Sequence, residues 1–208
     1  MKILIVAATE FEIAKSIPTL KEYQVDYLIT GVGMTATAFA LGSRLAVESY
    51  DLLLNVGIAG TFDTSQRLGT LVSVIQDSIF ELGAEDQEEF IPIEKLGFGQ
   101  SSFQEKLPEK TLKSSYTRLI RVPGITVNKV HGNKNTIELL RTSFAPHTIE
   151  TMEGAAFFYA ASQVNTPAIQ VRALSNYVES RNTENWEISK AVEELNAWLI
   201  EFMKEHQS

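Results

Sequence analysis

Residues 2–12 read KILIVAATEFE, and this stretch decides the fold class. It opens with a continuous apolar run without polar alternation, which is typical of a strand buried on both faces. Thr9 can cap a short helix over 10–16, whose first turn carries Glu10 and Glu12. The stretch therefore predicts a strand that leads directly into a helix, the unit from which α/β sheets are built.

The same alternation continues along the rest of the chain. Short apolar runs predict further strands at 25–30, 52–58, 70–81, 119–122, 125–130, 148–151 and 167–175. Segments of helical spacing predict helices at 34–49, 133–143, 153–164 and 184–205. In the last of these, the stripe that includes Trp186 and Trp198 is expected to be core. The order of elements predicts an α/β domain with a largely parallel or mixed sheet.

Residues 82–118 interrupt this pattern, because they are polar and aperiodic and contain two Pro and three Gly. We expect a variable excursion from a single domain that spans residues 1–208, and no second domain. Long loops of this kind often form the substrate-specific wall of an enzyme, and a disordered surface loop fits the composition equally well.

Composition excludes several classes of protein. The chain has no Cys, which excludes disulfides, thiol nucleophiles and iron–sulfur clusters, and its three His are too scattered to indicate a metal site. A net charge of −8 argues against binding to a nucleic acid backbone. No apolar run approaches the ~20 residues that span a membrane, and the N-terminus does not read as a signal peptide. We expect a cytoplasmic protein.

Small or ionisable residues follow the predicted strands, at the positions where α/β sheets bind ligands. They are Thr9, Glu10, Glu12, Gly31, Gly33, Met34, Thr35, Gly57, Ala59, Gly60, Met152, Glu153, Ser175 and Asn176. Each has an ordinary structural explanation, since first-turn acids match the helix dipole and the glycines suit turns. Glu153 is the most informative, because it borders an apolar helix and a buried carboxylate needs a partner or a function.

Five segments in chain order resemble the nucleoside phosphorylase/nucleosidase superfamily. They are KILIVAATEFE (2–12), TGVGMTATA (30–38), NVGIAGTFD (55–63) with LGTLVSV (68–74), ETMEGAAFFY (150–159) and VRALSNYV (171–178). The resemblance implies one nucleosidase domain, a three-layer α/β/α fold around a central mixed twisted sheet. The ETMEGAAFFY segment and RALSNYVESRN (172–182) are together similar to futalosine hydrolases, which remove hypoxanthine from futalosine in the alternative menaquinone route.

The resemblance also implies roles for individual residues. Glu12 matches the glutamate that holds and deprotonates the attacking water. Glu153 matches the carboxylate that binds the ribose 2′- and 3′-hydroxyls, and Met152 matches the residue that packs on the sugar face. Asn176 occupies the position that faces the N7 edge of the purine. Glu12 and Asn176 are therefore the expected catalytic residues.

The remaining expected substrate contacts are Ala59, Gly60, Asn128, Val130 and Ser175. The small residues at 59 and 60 leave room for backbone groups to approach the sugar. Residues 126–130 fall where the superfamily stacks the purine, but no aromatic residue stands there, so the stacking side chain stays open.

Departures from the superfamily pattern separate the candidate activities. Adenine-specific nucleosidases carry Asp where this chain has Asn176, and phosphorylases place an arginine where it has Asn55. An Asn amide cannot release a proton, which favours a hypoxanthine nucleoside over an adenine nucleoside. The acidic first loop disfavours a phosphate nucleophile. Methylthioadenosine/S-adenosylhomocysteine nucleosidase and purine nucleoside phosphorylase remain alternatives, and a catalytically silent nucleoside-binding module is a third.

The expected partners follow from this reading. We expect a small-molecule nucleoside as substrate, no nucleic acid or membrane partner, no metal or organic cofactor, and a homodimer or larger homo-oligomer. The distal carboxylate of futalosine should meet a cation. Arg181, Lys129 and Arg44 are candidates, and Arg44 could reach the site of a neighbouring subunit.

Overall fold

The expected alternation of strands and helices is present in the computed structural model, which describes residues 1–180 and 182–206. Its strands are β1 (Ile3–Ala7), β2 (Asp26–Ile29), β3 (Leu52–Thr61), β4 (Leu71–Ile79), β5 (Gly83–Asp86), β6 (Glu89–Pro92), β7 (Ser102–Gln104), β8 (Ile120–Thr126), β9 (Ile149–Thr151) and β10 (Ala168–Tyr177). Its α-helices are α1 (Glu10–Ile13), α2 (Ile17–Glu22), α3 (Met34–Leu45), α4 (Ile93–Leu96), α5 (Ser114–Thr117), α6 (Lys134–Ser143), α7 (Gly154–Gln163) and α8 (Ile188–His206), and a 3₁₀ turn spans Thr183–Asn185.

Strand β3 is the centre of a mixed sheet. It pairs in parallel with β1 and β10, and β2 extends the sheet beyond β1. Strand β10 runs antiparallel to β4, which runs parallel to β8, which in turn runs parallel to β9. Strand β9 then pairs antiparallel with the end of β3 at Gly60 and Thr61, so these five strands close into a ring. The prediction of an α/β domain with a central mixed sheet is confirmed.

Alternate residues of the central strands pack against different helices. In β1, Ile3 and Ile5 belong to a core with Leu195 of α8, whereas Leu4 belongs to a second core with Phe158 of α7. Both faces of the strand are therefore buried, which explains its apolar sequence without alternation. The helices on the two faces give the three-layer α/β/α arrangement. No helix among the described residues is long and apolar enough to cross a membrane.

Several element boundaries differ from the predictions. The helix predicted over 10–16 ends at Ile13, and α2 begins at Ile17 with Pro18 in its first turn, where proline needs no N–H partner. The two strands predicted at 119–122 and 125–130 are the single strand β8. It continues through Pro123 because a bulge in β4 absorbs the irregularity in the pairing.

Residues 82–118 are more ordered than a plain polar loop. Strands β5 and β6 form a separate two-stranded sheet, and β7 joins the main sheet through β4. Leu112 and Tyr116 enter the core beside α8. These elements are only three or four residues long, too short to leave a periodic pattern in the sequence.

The strands that reach the site are longer than predicted. Strand β3 continues to Thr61 and β10 continues to Tyr177, so Gly60 and Asn176 lie in strands and not in turns beyond them. A bulge at Ser175 keeps the two strands paired to their ends. This extension places side chains of β3 and β10 next to each other at the carboxyl ends of the two strands, along one edge of the sheet.

Candidate active site

A cavity of about 590 Å³ opens at this edge of the sheet. All predicted site residues except Asn128 line it, namely Glu12, Ala59, Gly60, Val130, Met152, Glu153, Ser175 and Asn176. Asn128 is exposed and faces an adjoining cavity. The fold thus brings together residues that are more than 160 positions apart in the sequence.

Glu12 is buried at the floor of the cavity and is held at both carboxylate oxygens. Its Oε2 accepts hydrogen bonds from the backbone N–H and the hydroxyl of Thr9, each at 3.0 Å. Its Oε1 accepts the backbone N–H of Ile58 at 3.1 Å. A Cβ on Gly57 would lie 2.7 Å from that oxygen, so only glycine leaves room there. Since a carboxylate has about four acceptor sites, Oε1 keeps one for a ligand.

Glu153 is the N-cap residue of α7 and is also buried. Its Oε1 accepts the backbone N–H of Gly33 at 2.9 Å, which ties it to the loop before α3. Burial raises the pKa of the Glu153 carboxyl above its usual range, and the charge of Arg172 and the Gly33 N–H oppose this rise. The negative charge of Glu12 adds to it. Two carboxylates of different environment therefore share one cavity.

A buried polar chain lies behind the two glutamates, and sequence reasoning did not identify it. Arg172 is 1% exposed and donates from Nε to Gln170 at 2.9 Å and from Nη2 to the side chain of Asn55. Gln170 in turn donates to Asp77 at 3.1 Å. Burial raises the pKa of Asp77 to about 6, against hydrogen bonds from Thr126 and Gln170. The signal in the sequence was an arginine inside an otherwise apolar strand, since such a residue must be paired.

Asn176 lies at the end of β10 beside Gly60. Its Oδ1 accepts the Ser175 hydroxyl at 2.8 Å, and its Nδ2 donates to the backbone carbonyl of Tyr177 at 3.1 Å. The Ser175 hydroxyl lies between this amide and the carbonyl of Ala59, at 3.1 Å. These contacts fix the amide so that its oxygen and nitrogen are assigned by their partners.

Two further residues that line the cavity, across Gly60 from Asn176, were not predicted from the sequence. His131 and Glu150 both line it, and the Glu150 carboxylate is bonded to the backbone N–H of His131 at 3.1 Å and to its ring Nδ1. The His131 ring packs against Phe80 and Phe62. Periodicity could not indicate this pair, because the two residues are 19 positions apart on a loop and a strand.

Comparison with known proteins identifies the family. The phosphorylase superfamily model matches residues 12–204. This chain belongs to the phosphorylase superfamily. Among the curated relatives of this chain is the futalosine hydrolase of Acidothermus cellulolyticus. The two sequences are 32% identical, and the match covers 82% of this chain and 71% of the relative. The futalosine hydrolase of Streptomyces coelicolor is 29% identical over 88% of this chain and 82% of that one.

A solved structure agrees in fold. The native structure of futalosine hydrolase from Helicobacter pylori superposes on this chain with a TM-score of 0.80. The match covers 99% of this chain and 98% of the Helicobacter pylori chain, at 14% sequence identity. At that identity the likeness concerns the fold. The superfamily assignment made from five sequence segments is confirmed.

Apolar residues form the mouth of the cavity. Trp186 and Ile188 line it beside Phe11 and Val32, which are 60% and 57% exposed. The prediction that Trp186 is a core residue of the last helix is wrong. Helix α8 begins two residues after Trp186, so this side chain is not part of the helix. It is half-buried and lies against the cavity.

The two candidate cations that the structure describes, Lys129 and Arg44, lie away from the cavity. Lys129 is exposed and borders the adjoining cavity. The Arg44 side chain, on α3, already donates a hydrogen bond to the Tyr50 hydroxyl at 3.1 Å and forms an ion pair with Glu48. Arg181 lies outside the described residues. Among the residues that the structure describes, no Lys or Arg lines the cavity, and no three acidic or histidine side chains are grouped to hold a metal.

Proposed function

We propose that this protein hydrolyses the N-ribosidic bond of futalosine and releases hypoxanthine, as an N-glycosidase of menaquinone biosynthesis. One observation carries the proposal. Two buried carboxylates, Glu12 and Glu153, line the same cavity in a chain whose curated relatives include futalosine hydrolases. Cleavage of a ribosyl bond passes through an oxocarbenium-like sugar, and paired carboxylates serve that chemistry.

Glu12 is the general base in this mechanism. Three donors orient its carboxylate, and the acceptor site left on Oε1 can hold a water molecule at the sugar. The water adds to C1′ of the ribose and gives its proton to Glu12. A positioned general base is worth roughly 10²–10⁴-fold in rate.

Glu153 is the ribose-binding group. Its carboxylate is anchored by Gly33 and retains acceptor sites for the 2′- and 3′-hydroxyls. Its negative charge also stabilises the cation that develops on the sugar. Met152 lines the cavity next to it and supplies an apolar contact for the ribose face. Ala59 and Gly60 provide the close backbone approach.

The charges around the cavity favour water over phosphate as nucleophile. Four acids line the cavity, namely Glu12, Glu150, Glu153 and Glu179. Arg172 is buried behind it, with its guanidinium bonded to Gln170 and Asn55. Phosphate requires charge-assisted hydrogen bonds from free cations, so this cavity suits hydrolysis.

We further propose that the protein acts as a homodimer or larger homo-oligomer in the cytoplasm. The exposed Phe11 and Val32 offer apolar surface at the cavity mouth, and a second copy could bring a cation to the distal carboxylate of the substrate. Light scattering of the purified protein measures the assembly. A monomer at working concentrations would contradict a site that is shared between subunits.

A nucleoside panel tests the function. Purified protein in phosphate-free buffer should release hypoxanthine from futalosine faster than it releases base from inosine, adenosine or methylthioadenosine. Chromatography of the free base measures each rate. Strict dependence on added phosphate would identify a phosphorylase, and equal or faster cleavage of methylthioadenosine would identify an adenine-specific nucleosidase.

A further inference from the structure

The proposed chemistry leaves one requirement without a residue, which is a proton for the departing purine. Breaking the C1′–N9 bond leaves an electron pair on the base, and that charge is quenched most effectively by a proton donor. Glu12 and Glu153 serve the sugar. Asn176 can donate hydrogen bonds but cannot release a proton.

Among the other ionisable groups that line the cavity, the Tyr177 hydroxyl already donates to the Gln66 carbonyl at 2.8 Å, and the Glu179 carboxylate accepts from Asn185. The pair formed by His131 and Glu150 is therefore the remaining candidate.

The His131–Glu150 pair is a built unit. Glu150 is 5% exposed, and its carboxylate is bonded to both the backbone N–H and the ring Nδ1 of His131. A carboxylate at Nδ1 fixes a proton on that nitrogen, so Nε2 is the ring nitrogen left to meet a ligand. Among the described residues none hydrogen-bonds to Nε2.

Strand register places this pair opposite Asn176. Gly60 of β3 is the pairing partner of Glu150 on β9 and of Asn176 on β10. The three residues form one row across neighbouring strands, with Glu150 and Asn176 about 10 Å apart at Cα. A Cβ on Gly60 would lie 3.2 Å from the Asn176 amide nitrogen, so that amide lies over the glycine. The same position lies 3.0 Å from the Val178 side chain, so a residue larger than glycine would displace the Asn176 amide from the centre of this row.

We propose that His131, held by Glu150, donates the proton that the purine takes as it departs, an inference that rests on the proposed hydrolysis. The proton moves from Nε2 to a nitrogen of the base as the C1′–N9 electron pair passes to the purine. Water supplies hydroxide to C1′ and its other proton to Glu12. Proton exchange with solvent then restores both side chains, so the net reaction consumes one water.

Several charged groups surround the His131 ring. Glu150 contacts it directly on β9, and the rings of Phe62 and Phe80 cover it without charge. Glu81 and Lys129 border the adjoining cavity that His131 also lines. The remaining acids of the main cavity are Glu12, Glu153 and Glu179.

The test compares two leaving groups. His131→Gln should lower kcat for the hypoxanthine nucleoside by roughly 10²–10⁴-fold. The same variant should lose less than about fivefold on 4-nitrophenyl β-D-riboside, because 4-nitrophenolate departs without a proton. The matched control is His147→Gln, since His147 is also bonded through Nδ1 to a carboxylate, Asp63, but lies outside the cavity. Equal losses on both substrates, or no loss on the nucleoside, would overturn the proposal.

A pH profile gives an independent readout. The wild-type rate on the nucleoside should fall on the alkaline side of its pH profile, because a general acid must be protonated, and this limb should be missing in His131→Gln. Glu150→Gln should lower kcat on the nucleoside more than on the nitrophenyl riboside, because Glu150 holds the His131 ring in place. An unchanged alkaline limb in His131→Gln would refute the role.

The rates of the wild-type protein on the different substrates distinguish a failure of the futalosine assignment from a failure of the proposed role of His131. If wild-type protein cleaves inosine and the nitrophenyl riboside but not futalosine, the substrate assignment fails, and the variant ratios on these two substrates still decide the role of His131. Cleavage of the riboside alone would contradict both proposals.

Discussion

At the scale of single residues, Glu12 separates an enzyme from a binding module. Glu12→Gln removes the base but retains one acceptor oxygen, so kcat should fall at least about 100-fold while futalosine affinity stays within about tenfold. Single-turnover rates and calorimetric titration measure the two quantities. One amide N–H₂ would face the donor of Thr9 or Ile58, so a modest loss of stability is also expected. A parallel loss of affinity would mean that Glu12 binds substrate and does not activate water.

Asn176 is the residue that should select the base. Hypoxanthine presents a carbonyl acceptor at C6 where adenine presents an amine, and the Asn176 amide can donate to the N7 and O6 edge. Asn176→Asp should therefore shift relative kcat/KM toward adenine nucleosides. Sites that hydrogen-bond a polar edge can discriminate by ~10⁴, so the ratio of rates on inosine and adenosine is a sensitive measure. An unchanged ratio would show that Asn176 only ends the strand.

At the scale of elements, α8 holds the short helix that carries Glu12. Helix α1 has four residues and cannot be stable alone. Asn196 of α8 donates to the Glu12 carbonyl at 2.8 Å and accepts the Ser16 hydroxyl at 2.7 Å, and all three groups are buried. Asn196→Ala should cost about 1–3 kcal/mol of stability by leaving these groups unpaired, and it should lower kcat more than it raises KM.

The control for Asn196 lies on the same helix. Glu193 pairs with Lys15 at 3.6 Å, and both side chains are mostly exposed. Glu193→Ala breaks only this surface ion pair and should change the free energy of unfolding by less than about 1 kcal/mol. Urea unfolding measures both variants, and equal effects would show that the buried bonds of Asn196 do not stabilise α1.

At the scale of the whole molecule, the buried Asp77 should make stability depend on pH. Its pKa of about 6 in the folded chain exceeds the ordinary value of 3.8 because burial disfavours the charge. The folded state therefore binds this proton more tightly, and the resulting stabilisation is present below about pH 4 and lost as pH rises through 6. Between pH 4 and pH 7, wild type should lose roughly 2–3 kcal/mol relative to Asp77→Asn. Urea unfolding at several pH values measures this difference.

A surface carboxyl provides the control of opposite sign. Hydrogen bonds from Ser101 lower the pKa of the exposed Glu94, so its contribution to stability is lost as pH falls, not as it rises. Glu94→Gln should therefore change the pH slope in the opposite sense to Asp77→Asn. The same sign for both variants would contradict the burial argument.

Local patterns in the sequence predicted a large part of the fold and of the candidate site. Continuous apolar runs such as 2–8 identified the buried strands, because a strand covered on both faces needs no polar positions. The motif positions of Glu12, Glu153 and Asn176 placed three side chains in the cavity that the structure contains. Boundaries were less predictable, since the bulges in β4 and β10 depend on partner strands that no local window contains.

The sequence by itself determined the alternation of the longer strands and helices outside residues 82–118, the superfamily and the acidic, cysteine-free character of the site. Only the tertiary structure decided that β9 closes the ring on β3, which sets Glu150 and Asn176 on either side of Gly60. It also decided that Trp186 faces the cavity. The physical reason is that periodicity reports which face of an element is apolar, whereas register and loop position depend on contacts between residues distant in the chain.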